Sequence, residues 1–197
     1  MQATSGSAQA PRKMRADAQR NYDTIVATAR QVFSESGANA SLDEIARRAG
    51  VGPGTLYRHF PTRSDLHRAV LQDWMGEVER EGNRIAAIGD PEESLTEWLR
   101  RYAEYKNFFR GLHEALLEVP GEDDNSSLAE CKTLMSGISE RIIERAKTCG
   151  LVRDDVKPIT VCQMVSGIAF LVDRSPAGSI DVDAQLGIIR AGIRPAA

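Results

Sequence analysis

The stretch VGPGTLYRHF, Val51 to Phe60, packs a tyrosine, an arginine and a histidine into three consecutive positions, two residues beyond a Gly-Pro-Gly run. Leu56 and Phe60 stand one helical turn apart, so both face inward if this segment is a helix. Thr55, Arg58 and His59 then project outward, with Tyr57 at the flank. Those types suit a polyanion with readable edges. Tyrosine and histidine donate to phosphate oxygens, arginine pairs with guanine or holds phosphate, and threonine offers a hydroxyl and a methyl. Taken singly, each is as well explained by an ordinary surface helix. Their occurrence on one face after a tight turn is what points to DNA.

Other chemistry finds less support. GVGPG lacks the Lys-Ser/Thr of a phosphate-binding loop and follows a helical pattern rather than a strand. His59, His67 and His113 are the only histidines, and no HExxH or GxSxG pattern occurs. Cys131, Cys149 and Cys162 are odd in number and without ligand spacing, which predicts free thiols in a reducing cytoplasm and no metal. No catalytic residues and no cofactor are expected. The longest apolar run, 159–172, is interrupted by Gln163, Ser166 and Gly167, and is too short and polar for a membrane span. The start of the chain has no secretory pattern and reads as a disordered tail.

Charge is uneven. The net −3 of the 197 residues divides into +4 over 1–70 and −7 over 71–197. Arg12, Lys13, Arg15 and Arg20 make a basic N-terminal arm. A basic first third on an acidic body suits a polyanion-binding module, although an imbalance of this size also arises by chance.

The elements that must position these residues are all helical. YDTIVATARQVFSESG carries an apolar stripe at Ile25, Ala29, Val32 and Phe33, ending at Gly37. SLDEIARRAG predicts a short helix with a Ser41/Glu44 capping box, stopped at Gly50. Pro53 suits the first turn of a third helix. Ala46 and Gly50, four apart, permit a close crossing, giving helix-turn-helix spacing with the second helix of the pair in the major groove. TRSDL repeats the capping logic with Thr62 and Asp65. DPEE opens a long helix with a break expected near Asn107 or Gly111, and three more helices are predicted over 127–148, 158–172 and 181–191. The fold class is all-α with about nine helices. The expected organisation is a tail (1–15), a helix-turn-helix head (16–66) and a helical ligand-binding and dimerisation domain (67–197).

SLDEIARRAGVGPGTLYRHFPTRSDL resembles the DNA-binding domain of the tetracycline-repressor (TetR) family of bacterial transcriptional regulators. The likeness runs from Ile25 to Leu66, and the Ala-Gly-Val turn, Gly-Thr-Leu-Tyr and His-Phe occur together and in order. The lead-in RADAQRN is similar to an actinobacterial branch of that family. The resemblance implies a homodimer that binds a pseudo-palindromic double-stranded operator and releases it when a small hydrophobic molecule binds. It implies phosphate contacts by Tyr57, His59 and Arg63, with Arg63 opening the fourth helix, and by Ser41. Thr55 matches a base- or phosphate-contacting position and Arg58 a variable groove-facing one. Arg20 joins this set through the basic arm. Gly52 and Pro53 depart from the family pattern of serine followed by a polar reader, which shifts recognition toward Thr55, Arg58, the arm and DNA shape.

The same resemblance implies a ligand cavity, for which Trp98, Tyr102, Phe109, His113, Met135 and Phe170 are the candidates. Met164, Val165, Ile168 and Val172 with Leu186 and Ile189 are candidates for a dimerising helix pair. Ordinary core packing is an equal explanation for every one of these. Two alternatives stay open: a DNA-binding dimer without a ligand, and a small-molecule carrier or enzyme that retains the head.

Overall fold

A computed structural model describes residues 10–36, 40–117, 125–176 and 178–195; side chains are described within these ranges except for 10–15, 107, 109–117 and 125–128. Among the described residues there are eight helices and no strand, the all-α architecture expected. They are α1 (Ala10–Ser36), α2 (Leu42–Arg48), α3 (Pro53–His59), α4 (Arg63–Ala86), α5 (Pro91–Leu117), α6 (Asn125–Thr148), α7 (Pro158–Arg174) and α8 (Val182–Ile193). The chain forms two compact units, 1–73 and 74–197, and α4 runs through the boundary.

In the first unit the apolar stripe of α1 is the core. Ile25, Ala29, Val32 and Phe33 are buried, as are Ile45 of α2, Leu56 of α3 and Leu66 of α4, and α1 packs on α2. Helix α1 begins at Ala10, ahead of the Tyr22 start that the periodicity predicts. Residues 1–9 of the expected tail, and the expected stop at Gly37, lie outside the described residues.

In the second unit α5 is the central helix, packed on α6, α7 and α8. It runs unbroken past Asn107 and Gly111. Neither residue is a proline, so each costs helix propensity of about 1 kcal/mol or less without removing a hydrogen bond. The remainder of α4 is tied to α6 by Arg145, whose guanidinium donates to the carbonyls of Ala86 (3.0 Å), Ile88 (2.7 Å) and Gly89 (2.6 Å). A cation there satisfies the carbonyls a helix end leaves open and complements its dipole. Trp98 is fully buried, and its indole N–H donates to the Ser139 hydroxyl at 3.0 Å, fastening α5 to α6.

The capping logic held at one of its two sites. Thr62 and Asp65 bond reciprocally: the Thr62 N–H reaches Asp65 Oδ2 at 2.9 Å and the Asp65 N–H reaches Thr62 Oγ1 at 3.1 Å. At α2 the Ser41 side chain makes no cap bond. Glu44 turns instead to Arg47 and Arg48, which compete for its carboxylate with charge-assisted bonds of 2.7–2.8 Å.

Candidate nucleic-acid interface and cavity

The turn between α2 and α3 is built by Gly50. Its φ of +68° is the left-handed region that a side chain resists. That conformation lets the Gly50 N–H reach the Arg47 carbonyl (3.2 Å) and the Val51 N–H reach the Ala46 carbonyl (3.0 Å). This paired closure is the Schellman motif, and it stops α2 while satisfying its last carbonyls. Gly52 then sits in extended backbone as the N-cap of α3, and Pro53 fills the first helical position with its preset φ.

Leu56 and Phe60 are buried and fix the rotation of α3. The rotation leaves Tyr57 46% exposed and Arg58 exposed, with Thr55 and His59 half-buried. Gly52, Pro53 and Gly54 are exposed and carry no side chain that reaches outward beyond the proline ring. His59 is not simply a surface group. Its ring lies 6.1 Å from that of Tyr22 on α1, which in turn packs 5.0 Å from Phe60. Sequence reading missed Tyr22, whose place beside His59 depends on how α1 crosses α3.

Arg63 and Ser41 are brought to one place. Arg63, at the start of α4, donates through Nη1 to the Ala40 carbonyl at 2.6 Å, directly before exposed Ser41. Arg20 is exposed on α1 and pairs with Asp17, and no described contact brings it to α3. On α2, Glu44 is held to a pKa of about 2 by hydrogen bonds from Arg47 first and Arg48 second. Arg48 also reaches Glu35 of α1 at 2.6 Å.

The second unit holds a cavity of about 250 Å³, open to solvent on one side and lined by α5, α6 and α7. Tyr102, Lys106, Lys132, Met135, Ile159 and Cys162 are among its lining residues. Of the sequence candidates, Tyr102 and Met135 line it. Trp98 lies one turn behind Tyr102, edge-on to it at 6.1 Å, and does not line the cavity. Phe170 is on the exposed face of α7, with the Arg174 guanidinium 4.7 Å above its ring. The side chains of Phe109 and His113 lie outside the described residues. Burial pushes the Tyr102 hydroxyl up to about 12 and the Cys162 thiol upward, so both stay protonated donors near neutral pH. Lys106, Cys131, Lys132 and Ser136 were missed in the sequence, because i, i+4 spacing marks a face but not whether that face meets a partner or a void.

The dimer candidates divide. Val165, Ile168, Leu186 and Ile189 are buried within the protomer, where α7 packs on α8, and Val172 is half-buried. Met164 is 48% exposed. It is joined on that face by Ile188, 73% exposed, in a groove that also includes Thr160 and Gly192.

Residues 25–70 match the profile of bacterial regulatory proteins of the tetR family, and residues 90–195 that of the SbtR-like transcriptional regulator C-terminal domain. A TetR transcriptional regulator of Streptomyces coelicolor is 31% identical in sequence with a TM-score of 0.74, over 89% of this chain and 99% of that one. A TetR regulatory protein of Mycobacterium vanbaalenii is 29% identical with a TM-score of 0.70, over 92% and 99%. An HTH-type transcriptional regulator of Staphylococcus aureus is 36% identical over 106 residues, 53% of this chain and 56% of its own length. The chain thus spans about half the length, or less, of the curated relatives it matches. Among the described residues no helix is long and apolar enough to cross a membrane. With the head and the C-terminal domain both matched, the chain belongs to the TetR family of bacterial transcriptional regulators.

Proposed function

We propose that the protein is a cytoplasmic homodimeric repressor that holds a pseudo-palindromic operator and releases it when a small molecule enters the cavity between α5, α6 and α7. The observation that carries this reading is the face of α3, where Tyr57 and Arg58 stand clear of the protomer while Leu56 and Phe60 anchor the helix from behind. A helix so presented fits the major groove. Arg58 and Thr55 read bases. Tyr57, His59, Ser41 and Arg63 hold phosphates, which position the head without choosing sequence. Exposed Arg20 extends the phosphate grip from α1.

Support for the sensor half comes from the cavity itself, mixed in its lining and bordered by three helices. An effector lowers operator affinity only through a difference in its own affinity for the two states of the protein. A hundredfold release corresponds to about 2.7 kcal/mol of such difference. The apolar surface of Met164 and Ile188 supports the dimer, because two copies related by a two-fold axis present the same patch to each other.

The test is fluorescence anisotropy of a labelled operator duplex, titrated with the full-length protein and then with candidate effectors. Tight binding followed by effector-driven release is expected. Binding to DNA that no compound relieves, with Met135→Trp filling the cavity and changing nothing, would leave a ligand-free DNA-binding dimer in its place.

A further inference from the structure

We infer that the effector taken by the cavity between α5, α6 and α7 is an organic anion, a carboxylate on a compact apolar body; this rests on the reading of that cavity as the effector site. Two ammonium groups line it, Lys106 from α5 and Lys132 from α6, and no aspartate or glutamate stands among its described lining residues. This positive lining runs against the composition of the body around it, since 71–197 carries a net −7. Glu130, whose charge adds to burial in raising the Cys131 thiol, is exposed on α6 and outside the lining.

Lys106 is half-buried. Burial first, and the nearby charge of Lys132 second, hold its pKa below the ordinary lysine value. Both effects oppose its charge, and a bound anion offsets both by adding negative charge nearby and accepting charge-assisted hydrogen bonds. A cationic ligand would add to the same repulsion.

The other lining groups divide into donors and apolar surface. Ser136, Gln163 and the Tyr102 hydroxyl are neutral and able to donate. Met135 and Ile159 supply the apolar wall. The volume of about 250 Å³ is small, below the roughly 300–1,000 Å³ of typical ligand sites. It suits one ring or a medium-length chain rather than a polycyclic compound.

The experiment uses the full-length protein and isothermal titration with matched pairs: phenylacetate against phenylacetamide, and octanoate against octanamide. The acids are expected to bind at least about tenfold tighter than their amides, corresponding to about 1.4 kcal/mol or more. Lys132→Met, at an exposed position, and Lys106→Met should each erase most of that preference. Lys132→Arg and Lys106→Arg should keep it. Circular dichroism confirms that each variant is folded.

Amides binding as tightly as acids, or acids binding the lysine-to-methionine variants undiminished, would overturn the anion assignment. If Met135→Trp still abolishes binding in that case, the cavity is the effector site for neutral molecules and only the chemical class is wrong. Binding that survives Met135→Trp, or no binding by any probe, overturns the effector reading together with the anion assignment.

Discussion

At the scale of single residues, the phosphate contact proposed for Arg63 is testable by substitution. Its guanidinium is tethered to the Ala40 carbonyl, and its charge lies at the start of α4, where the dipole also favours phosphate. Arg63→Ala should weaken binding to every DNA sequence alike and reduce the slope of log K against log salt by about 0.9 per half-site. Arg63→Lys should keep most of the slope. Salt titrations of both variants check this, and an unchanged slope in Arg63→Ala would remove the residue from the phosphate set. Ser139 offers a test within the core. Ser139→Ala strands the buried Trp98 N–H and should cost about 1–3 kcal/mol in urea unfolding. A change near zero would mean that water reaches the indole. The burial of Leu56 and Phe60 was legible, because a spacing of four sets the inner face of α3 by local periodicity alone. Lys106 and Lys132 were not legible. A lysine at helical spacing reads as a solvated face until neighbouring helices place it on the wall of a cavity.

Elements were legible where a backbone rule starts or stops them. Gly50 needs its left-handed φ, Pro53 its N1 position, and Thr62 with Asp65 a reciprocal cap, and all three stand in the sequence as such. The unbroken α5 was not, since Asn107 and Gly111 weaken a helix without forbidding it. Close packing between helices was also invisible. Gly82 of α4 lies so near α6 that a Cβ there would meet Ile138 Cδ1 at 2.6 Å and Cγ2 at 2.9 Å. Gly82→Ala gains helix propensity of roughly 0.5–1 kcal/mol but overpacks a buried contact at about 1–3 kcal/mol. Net destabilisation is expected, and adding Ile138→Ala should give a double-mutant coupling of about 1 kcal/mol or more in the favourable direction. Simple additivity would contradict the contact. Helix α2 carries an acid-sensitive brace. Glu44 has its folded pKa depressed from 4.5 to about 2, so its contribution to stability is present above pH 4.5 and is lost as the pH falls toward 2. Glu44→Gln should flatten the acid unfolding curve in that window, read by circular dichroism; an identical curve would show that the brace does not stabilise the folded head.

For the whole molecule, the proposed dimer rests on the exposed apolar face of α7 and α8, Met164 and Ile188. The buried residues of the same helices, Val165, Ile168, Leu186 and Ile189, hold the protomer together, and a sequence pattern does not distinguish the two uses of an apolar stripe. The informative changes are therefore at Met164 and Ile188. Ile188→Asp should leave the protomer folded, shift sedimentation from dimer to monomer, and lower operator affinity by roughly a hundredfold as the two half-sites lose their linkage. A wild-type monomer at micromolar concentration would exclude the two-fold reading. The central claim is that α3 reads DNA in a symmetric dimer, and selection of bound duplexes from a random pool tests it most directly, run with the wild type and with Arg58→Ala. The wild type should enrich a pseudo-palindrome whose half-site centres lie about one helical turn, or a multiple of it, apart. Arg58→Ala should relax the preference at one position in each half-site. No enriched sequence, or an identical motif from both proteins, would contradict that account.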